Sequence, residues 1–161
     1  MTKYTAEDIL IVGAGPAGAT ASMWLSANHI PHIIIDKYSF PRDKVCGDAI
    51  SSRAFSILKQ LEPDIAQQLA AIKEDALVTH GIAFSTPGGK GITLEFNKFA
   101  KREEGQPPNH TPSFVMKRKH FDDFLFQQLY PDYAIIRQET SLQSIERLQN
   151  GQVQAVIKQN G

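Results

Sequence analysis

Cysteine is almost missing from this chain: Cys46 stands alone among 161 residues. That excludes an intrachain disulfide framework and a cysteine-built metal site. A reducing, cytoplasmic compartment is the expectation. A surplus of charge is missing too, since 17 basic and 17 acidic side chains cancel. No single-signed field is available for a nucleic-acid backbone, and no nucleic-acid partner is expected. No apolar run approaches the roughly 20 residues of a membrane-crossing helix. Met1 to Asp8 carries Lys3, Glu7 and Asp8, which does not read as a secretory leader. Two catalytic signatures are also lacking, the H-E-x-x-H metal helix and the G-x-S-x-G nucleophile elbow. His29, His32, His80, His110 and His120 are scattered, so no metal is expected. Asp122 and Asp123, being adjacent, fall on different helix azimuths and read as a solvated edge. Met23 and Trp24 read as helix packing. Repeats and low-complexity tracts are absent.

Apolar residues, at 42%, suffice for a core. Ile9 to Val12 is a continuous apolar run, the pattern of a buried parallel strand. Pro16 to His29 reads as a helix with Pro16 in its first turn. His32 to Ile35 is a second buried strand, ending at Asp36. Strand, tight turn, helix, strand within about thirty residues is a βαβ unit. Tyr38 to Ala49 reads as a loop. Ser51 or Ser52 caps a helix with Phe55, Leu58 and Leu61 inward, and Ile65, Leu69 and Ile72 mark another. Val78–Ser85 and Ile92–Phe96 read as strands joined by Pro87-Gly88-Gly89-Lys90. Asn97 to Thr111, with Pro107 and Pro108, reads as an exposed loop. Strand Ser113–Met116, helix Lys119–Leu129 and strand Tyr133–Ile136 follow. Thr140–Leu148 and Val153–Lys158 flank Gln149-Asn150-Gly151, a strong hairpin signal. The ending at Asn160-Gly161, a turn dipeptide, predicts that the sequence stops before its next strand, as a truncated chain would; the alternative reading is a frayed C-terminus.

Gly13-Ala14-Gly15-Pro16-Ala17-Gly18 matches G-x-G-x-x-G between a strand and a helix, the context that gives the pattern meaning. Gly13 allows the tight turn, Gly15 admits a pyrophosphate to the backbone, and Gly18 lets helix and strand pack closely. The helix N-terminus offers free N–H groups to the phosphates. Asp36, 18 positions beyond Gly18, is placed to accept hydrogen bonds from the adenosine ribose. Its charge would repel a 2′-phosphate, so NADP fits this site poorly. The alternative role for Asp36 is to cap the Tyr38–Pro41 turn. Arg42 and Lys44 can offset phosphate charge, and Gly47 lets the backbone run close to a flat ring. For Cys46, a small buried filler is the competing reading.

The Gly13–Gly18 turn, Asp36 and the run Phe40-Pro41-Arg42-Asp43-Lys44-Val45-Cys46-Gly47-Asp48-Ala49 together resemble the N-terminal part of the geranylgeranyl reductase family. That family lies within the flavoproteins that resemble p-hydroxybenzoate hydroxylase. The resemblance implies an α/β fold: a Rossmann-like three-layer FAD/NAD(P)-binding domain, here incomplete, with the start of an antiparallel-sheet substrate domain. Residues 1–75 and 112–137 would form the first, and residues 76–111 and 138–161 strands of the second. It implies FAD as cofactor, with Gly13, Ala14, Gly15, Pro16, Ala17, Gly18, Asp36 and Lys37 on the ADP side. Arg42, Lys44, Cys46, Gly47 and Ala49 would complete the site, the last three near the flavin. Arg118, within Val115 to Asp122, matches the family's arginine that opens a helix over the cofactor. NAD(P)H or another donor would supply electrons. The implied reaction is reduction of C=C bonds in a prenylated or other hydrophobic small molecule, with Cys46 as candidate catalytic proton donor. Such a substrate implies a cytoplasmic protein in peripheral contact with membranes. The alternatives are a FAD-dependent aromatic monooxygenase and a catalytically inert FAD-binding fragment.

Overall fold

The computed structural model describes residues 9–72, 76–96 and 113–160. Met1 to Asp8 and the loop expected at Asn97 to Thr111 lie outside the described residues. The chain divides into two compact units, residues 1–45 with 118–161 and residues 46–117.

The first unit is built on a parallel sheet. Strands β1 (Leu10–Val12), β2 (His32–Ile35) and β8 (Ala134–Arg137) lie in the order β1-β2-β8. Ile11 pairs with Ile34, and Ile34 with Ile136. All four residues of β2 are buried, as a central parallel strand covered on both faces requires. Helix α1 (Pro16–Ala27) packs on this sheet and buries Ala19, Ser22, Met23 and Ser26. It ends where Asn28 Nδ2 donates to Trp24 O at 2.8 Å. Met23 is core, whereas Trp24 is 41% exposed. Position 24 falls on the azimuth that α1 turns away from the sheet. Helix α4 (Arg118–Gln127) packs against α1 and buries Phe121, Asp122 and Leu125. An antiparallel hairpin, β9 (Thr140–Arg147) with β10 (Val153–Gln159), turns at Asn150-Gly151 as that dipeptide predicts. Gly151 sits at φ 84°.

The second unit holds an antiparallel sheet in the order β3 (Ala49–Ile50), β7 (Ser113–Met116), β4 (Ala76–Thr79). Helix α2 (Ser52–Leu61) is capped by Ser51, whose Oγ accepts from Ala54 N at 3.2 Å. α2 buries Phe55 and Leu58, and the Phe55 ring lies 5.1 Å from that of Phe114 on β7. Helix α3 (Ile65–Ala71) follows, with Ile65 and Leu69 buried. The single strand expected over Val78–Ser85 is two strands. β4 pairs with β7, whereas β5 (Gly81–Ser85) pairs with β6 (Gly91–Glu95) as a separate hairpin. The chain changes partners at His80, and alternation of side chains alone does not report a change of sheet.

Candidate functional site

The chemistry-bearing residues of the first unit meet at the C-terminal ends of β1 and β2. The turn leaving β1 is held by Gly13 N donating to Ile35 O at 2.7 Å. Gly13 sits at φ +101°, where a side chain is strained although a Cβ there would meet nothing within 4 Å. Gly15 is the N-cap residue of α1, carries no side-chain cap and is followed by Pro16. The first turn of α1 contains no acidic residue, so its N–H groups and positive dipole end suit an anion. At Gly18 a Cβ would stand 1.8 Å from Gly13 O. The three glycines thus answer to three constraints: backbone angle, approach to the turn, and helix packing.

Asp36 is buried at the end of β2. Its Oδ2 accepts from Ala14 N at 2.8 Å and its Oδ1 from Tyr38 N at 2.9 Å. The carboxylate therefore caps its own turn and also fixes the glycine turn. Two contacts leave room for two further acceptor positions. Asp36 lines a cavity of about 420 Å³ with Val12, Gly13, Lys37, Arg42 and Thr140, among others. Lys44, Ser141 and Leu142 complete one side of it. Thr140, Ser141 and Leu142 are the residues that sequence reasoning missed here. They arrive because Thr140 N donates to Asp36 O at 2.8 Å, which joins β9 to the end of β2.

A line of alternating charges crosses this region. Arg42 Nε lies 3.9 Å from Asp36 Oδ2, and Arg42 Nη2 lies 3.2 Å from Asp122 Oδ2. Arg118 grips the same carboxylate from one helical turn before: its Nε donates to Asp122 Oδ1 at 2.6 Å and its Nη2 to Oδ2 at 2.9 Å. The Arg118 side chain is only 16% exposed. The solvated edge expected at Asp122 and Asp123 is corrected for Asp122, whose side chain is 0% exposed. Asp123 is the half of the pair that faces outward, where Gln127 Nε2 donates to it at 3.3 Å. Arg42 is held from below by Phe40, 5.0 Å away, and Phe40 in turn stacks on Phe126 of α4 at 4.4 Å.

Cys46, Gly47 and Ala49 belong to the second unit. Cys46 is a free, exposed thiol rather than a buried filler. Ala49 pairs with Val115 in the β3–β7 ladder. His29 and His32 are three residues apart, but they form no metal pair. His32 is buried; its Nδ1 lies 2.9 Å from Ile30 O and its Nε2 2.6 Å from Ser22 Oγ. Among the described residues no group of three or more His, Cys, Asp or Glu side chains could hold a metal ion. No helix among them is long and apolar enough to cross a membrane.

A parallel sheet flanked by helices, with a glycine turn and a carboxylate at its C-terminal edge, defines a Rossmann-like dinucleotide-binding protein. The chain belongs to the FAD binding domain family, which it matches over residues 6–161, and its cofactor is FAD. It is 28% identical to a menaquinone reductase of Mycolicibacterium smegmatis, over 98% of this chain and 35% of the relative. The chain thus spans about a third of that protein's length. A solved structure of pqsL of Pseudomonas aeruginosa, described as a probable FAD-dependent monooxygenase, superposes with a TM-score of 0.67 at 13% identity. The match covers 96% of this chain and 39% of that one. A geranylgeranyl bacteriochlorophyll reductase-like protein of Thermoplasma acidophilum superposes with a TM-score of 0.65 at 21% identity. That match covers 95% of this chain and 35% of the other. At such identities the likeness is one of fold. Together the family match and the superpositions define a FAD-binding domain of Rossmann-like fold.

The residues present fit the ADP half of FAD on their own terms. The N-terminus of α1 is uncapped by any side chain. Arg42 Nε and Nη1 are buried and make no hydrogen bond within the protein. Buried donors without partners are costly, about 1–3 kcal/mol each, and a pyrophosphate supplies acceptors of the right charge.

Proposed function

We propose that the first unit is the ADP-holding cradle of a flavin-dependent oxidoreductase. In it Gly13 to Gly18 and the N-terminus of α1 take the pyrophosphate and Asp36 takes the adenosine ribose. Arg42 and Arg118 supply the countercharge, while Lys37, Lys44 and Thr140 to Leu142 wall the adenosine side. When held there, FAD would supply the electron transfer from a donor such as NAD(P)H to substrate, while the protein supplies its binding and orientation. The observation that carries this reading is Arg42 beside the glycine turn, its side chain 12% exposed and its Nε and Nη1 without a hydrogen bond in the protein. Its test is the visible spectrum of the protein after incubation with FAD and gel filtration. Flavin bands near ~370 and ~450 nm that travel with the protein support the cradle. A colourless protein that is folded by circular dichroism refutes it.

For the reaction, the finer reading is reduction of C=C bonds in a prenylated, hydrophobic substrate such as an isoprenoid quinone. Its support is the identity to a menaquinone reductase along nearly the whole chain. On this reading Cys46, exposed and free, is the candidate proton donor, and the divisions 1–75 with 112–137 and 76–111 with 138–161 are the cofactor and substrate parts. The second reading is aromatic monooxygenation, supported by 36% identity to a phenol 2-monooxygenase over 58 residues. Oxygen decides between them. A saturated product formed from NAD(P)H under anaerobic conditions supports the reductase, whereas a product carrying one atom of labelled O2 supports the monooxygenase.

A further inference from the structure

We propose that Asp122 is a positioning residue for the FAD diphosphate, acting only through the two arginines it joins; this rests on the cradle reading above. Three charged groups converge over Gly15. A Cβ built there would lie 3.1 Å from Arg42 Nη2, 3.9 Å from Arg118 Nη2 and 3.9 Å from Asp122 Oδ2. Gly15 is the N-cap residue of α1, so both guanidiniums are presented at the turn that approaches the phosphates.

Asp122 itself is no ligand for the diphosphate. A carboxylate is acceptor-only and repels a phosphate. Its two oxygens are already engaged by Arg118 Nε, Arg118 Nη2 and Arg42 Nη2. Its effect on the cofactor has to pass through those guanidiniums. It takes Arg42 by a single nitrogen, and Arg42 Nε and Nη1 remain without hydrogen bonds in the protein. It holds Arg118 by a bidentate fork, the geometry that fixes a guanidinium in direction as well as place. Two arginines facing one turn would repel each other. A fully buried carboxylate between them removes that repulsion without covering the donors that face the diphosphate. Asp36 and Asp122 balance Arg42 and Arg118, so the positive charge that remains for the cofactor's diphosphate is that of Lys37 and Lys44 in the cavity lining.

The test compares ADP with adenosine by titration calorimetry on the 161-residue protein. ADP carries the diphosphate and adenosine does not. Asp122→Asn keeps the shape but replaces an acceptor by an amide donor that faces an arginine. We expect it to weaken ADP at least tenfold and to leave adenosine within twofold. Arg118→Lys keeps the charge and loses the fork, so it should show the same selective loss. It carries the test should the Asp122→Asn protein fail to fold. An equal loss for both ligands would make Asp122 merely structural and overturn the proposal. Tighter ADP binding by Asp122→Asn would overturn it as well, since the carboxylate would then be a brake on the phosphates. Wild-type protein that binds neither ADP nor FAD overturns the cradle reading itself. Wild-type protein that binds ADP, with Asp122→Asn and Arg118→Lys unchanged, overturns the Asp122 assignment alone.

Discussion

Gly18→Ala adds one methyl group at the place where α1 crosses the glycine turn. The new Cβ would stand 1.8 Å from Gly13 O, 3.0 Å from Gly13 C and 3.2 Å from Ile11 Cγ2. Comfortable contact for such atoms is about 3.5 Å, so helix and turn have to part by roughly 1.7 Å. The obstacle is backbone, which no rotamer change can move. Overpacking of this kind costs about 1–3 kcal/mol, and a backbone clash belongs at the top of that range. Against it stands a gain, because Gly18 lies in a helix and Ala is the better helix former by about 1 kcal/mol. The net expectation is a loss of about 2 kcal/mol. With a urea slope of about 2 kcal/mol per molar, the unfolding midpoint falls by about 1 M. The chain's one tryptophan, Trp24, lies on the same helix and reports that transition by fluorescence. Gly47→Ala, where a Cβ meets nothing within 4 Å, is the control and should stay within about 0.5 kcal/mol of wild type. A Gly18→Ala midpoint equal to or above wild type would refute the reasoning, because α1 would then not press on the turn. The same displacement should weaken FAD retention on gel filtration.

Gly13→Ala tests angle rather than space. With φ at +101° and no neighbour to strike, we expect a loss of about 1–2 kcal/mol from backbone strain alone, read by the same urea titration. Ser22→Ala removes the hydroxyl 2.6 Å from buried His32 Nε2 and should cost about 1–3 kcal/mol by stranding that nitrogen. A Ser22→Ala protein with an unchanged midpoint would mean that the pair is not closed. Ser51→Ala strips the cap of α2 and should cost about 1 kcal/mol. It should leave FAD retention unchanged, since Ser51 belongs to the other unit.

The glycine turn was legible because each part of it is a local constraint. A run without alternation, three glycines and a carboxylate 18 positions further on are visible without knowing what they pack against. β1, α1 and β2 follow within a residue or two of the expected limits. So does the β9–β10 hairpin, whose Asn-Gly turn fixes its own register. The pairing of β2 with β8 was not legible, because parallel partners 100 residues apart share no turn. Nor was the change of sheet between β4 and β5, because the alternation of side chains runs on while the strand changes partner. The wall formed by Thr140, Ser141 and Leu142 depends on one backbone hydrogen bond from Thr140 to Asp36, and no side-chain pattern encodes it.

Asp122 shows where a sequence argument can be right in its geometry and wrong in its conclusion. Adjacent aspartates do lie about 100° apart on a helix, and that alone says that at most one of them can face inward. It does not say that neither does. The deciding pattern is the spacing Arg118, Asp122, Leu125, Leu129, which steps by four, three and four and so traces one helical stripe. Leu125 and Leu129 are buried, so the stripe faces the core, and a carboxylate on it needs a cation on the same stripe. Arg118 is that cation, in the i,i+4 relation. Arg42, which adds the second, comes from the loop after β2, and only the fold brings it within reach. The half of the ion network that lies along one helix was therefore available from spacing. The half that joins the helix to the glycine turn is a property of the packed sheet.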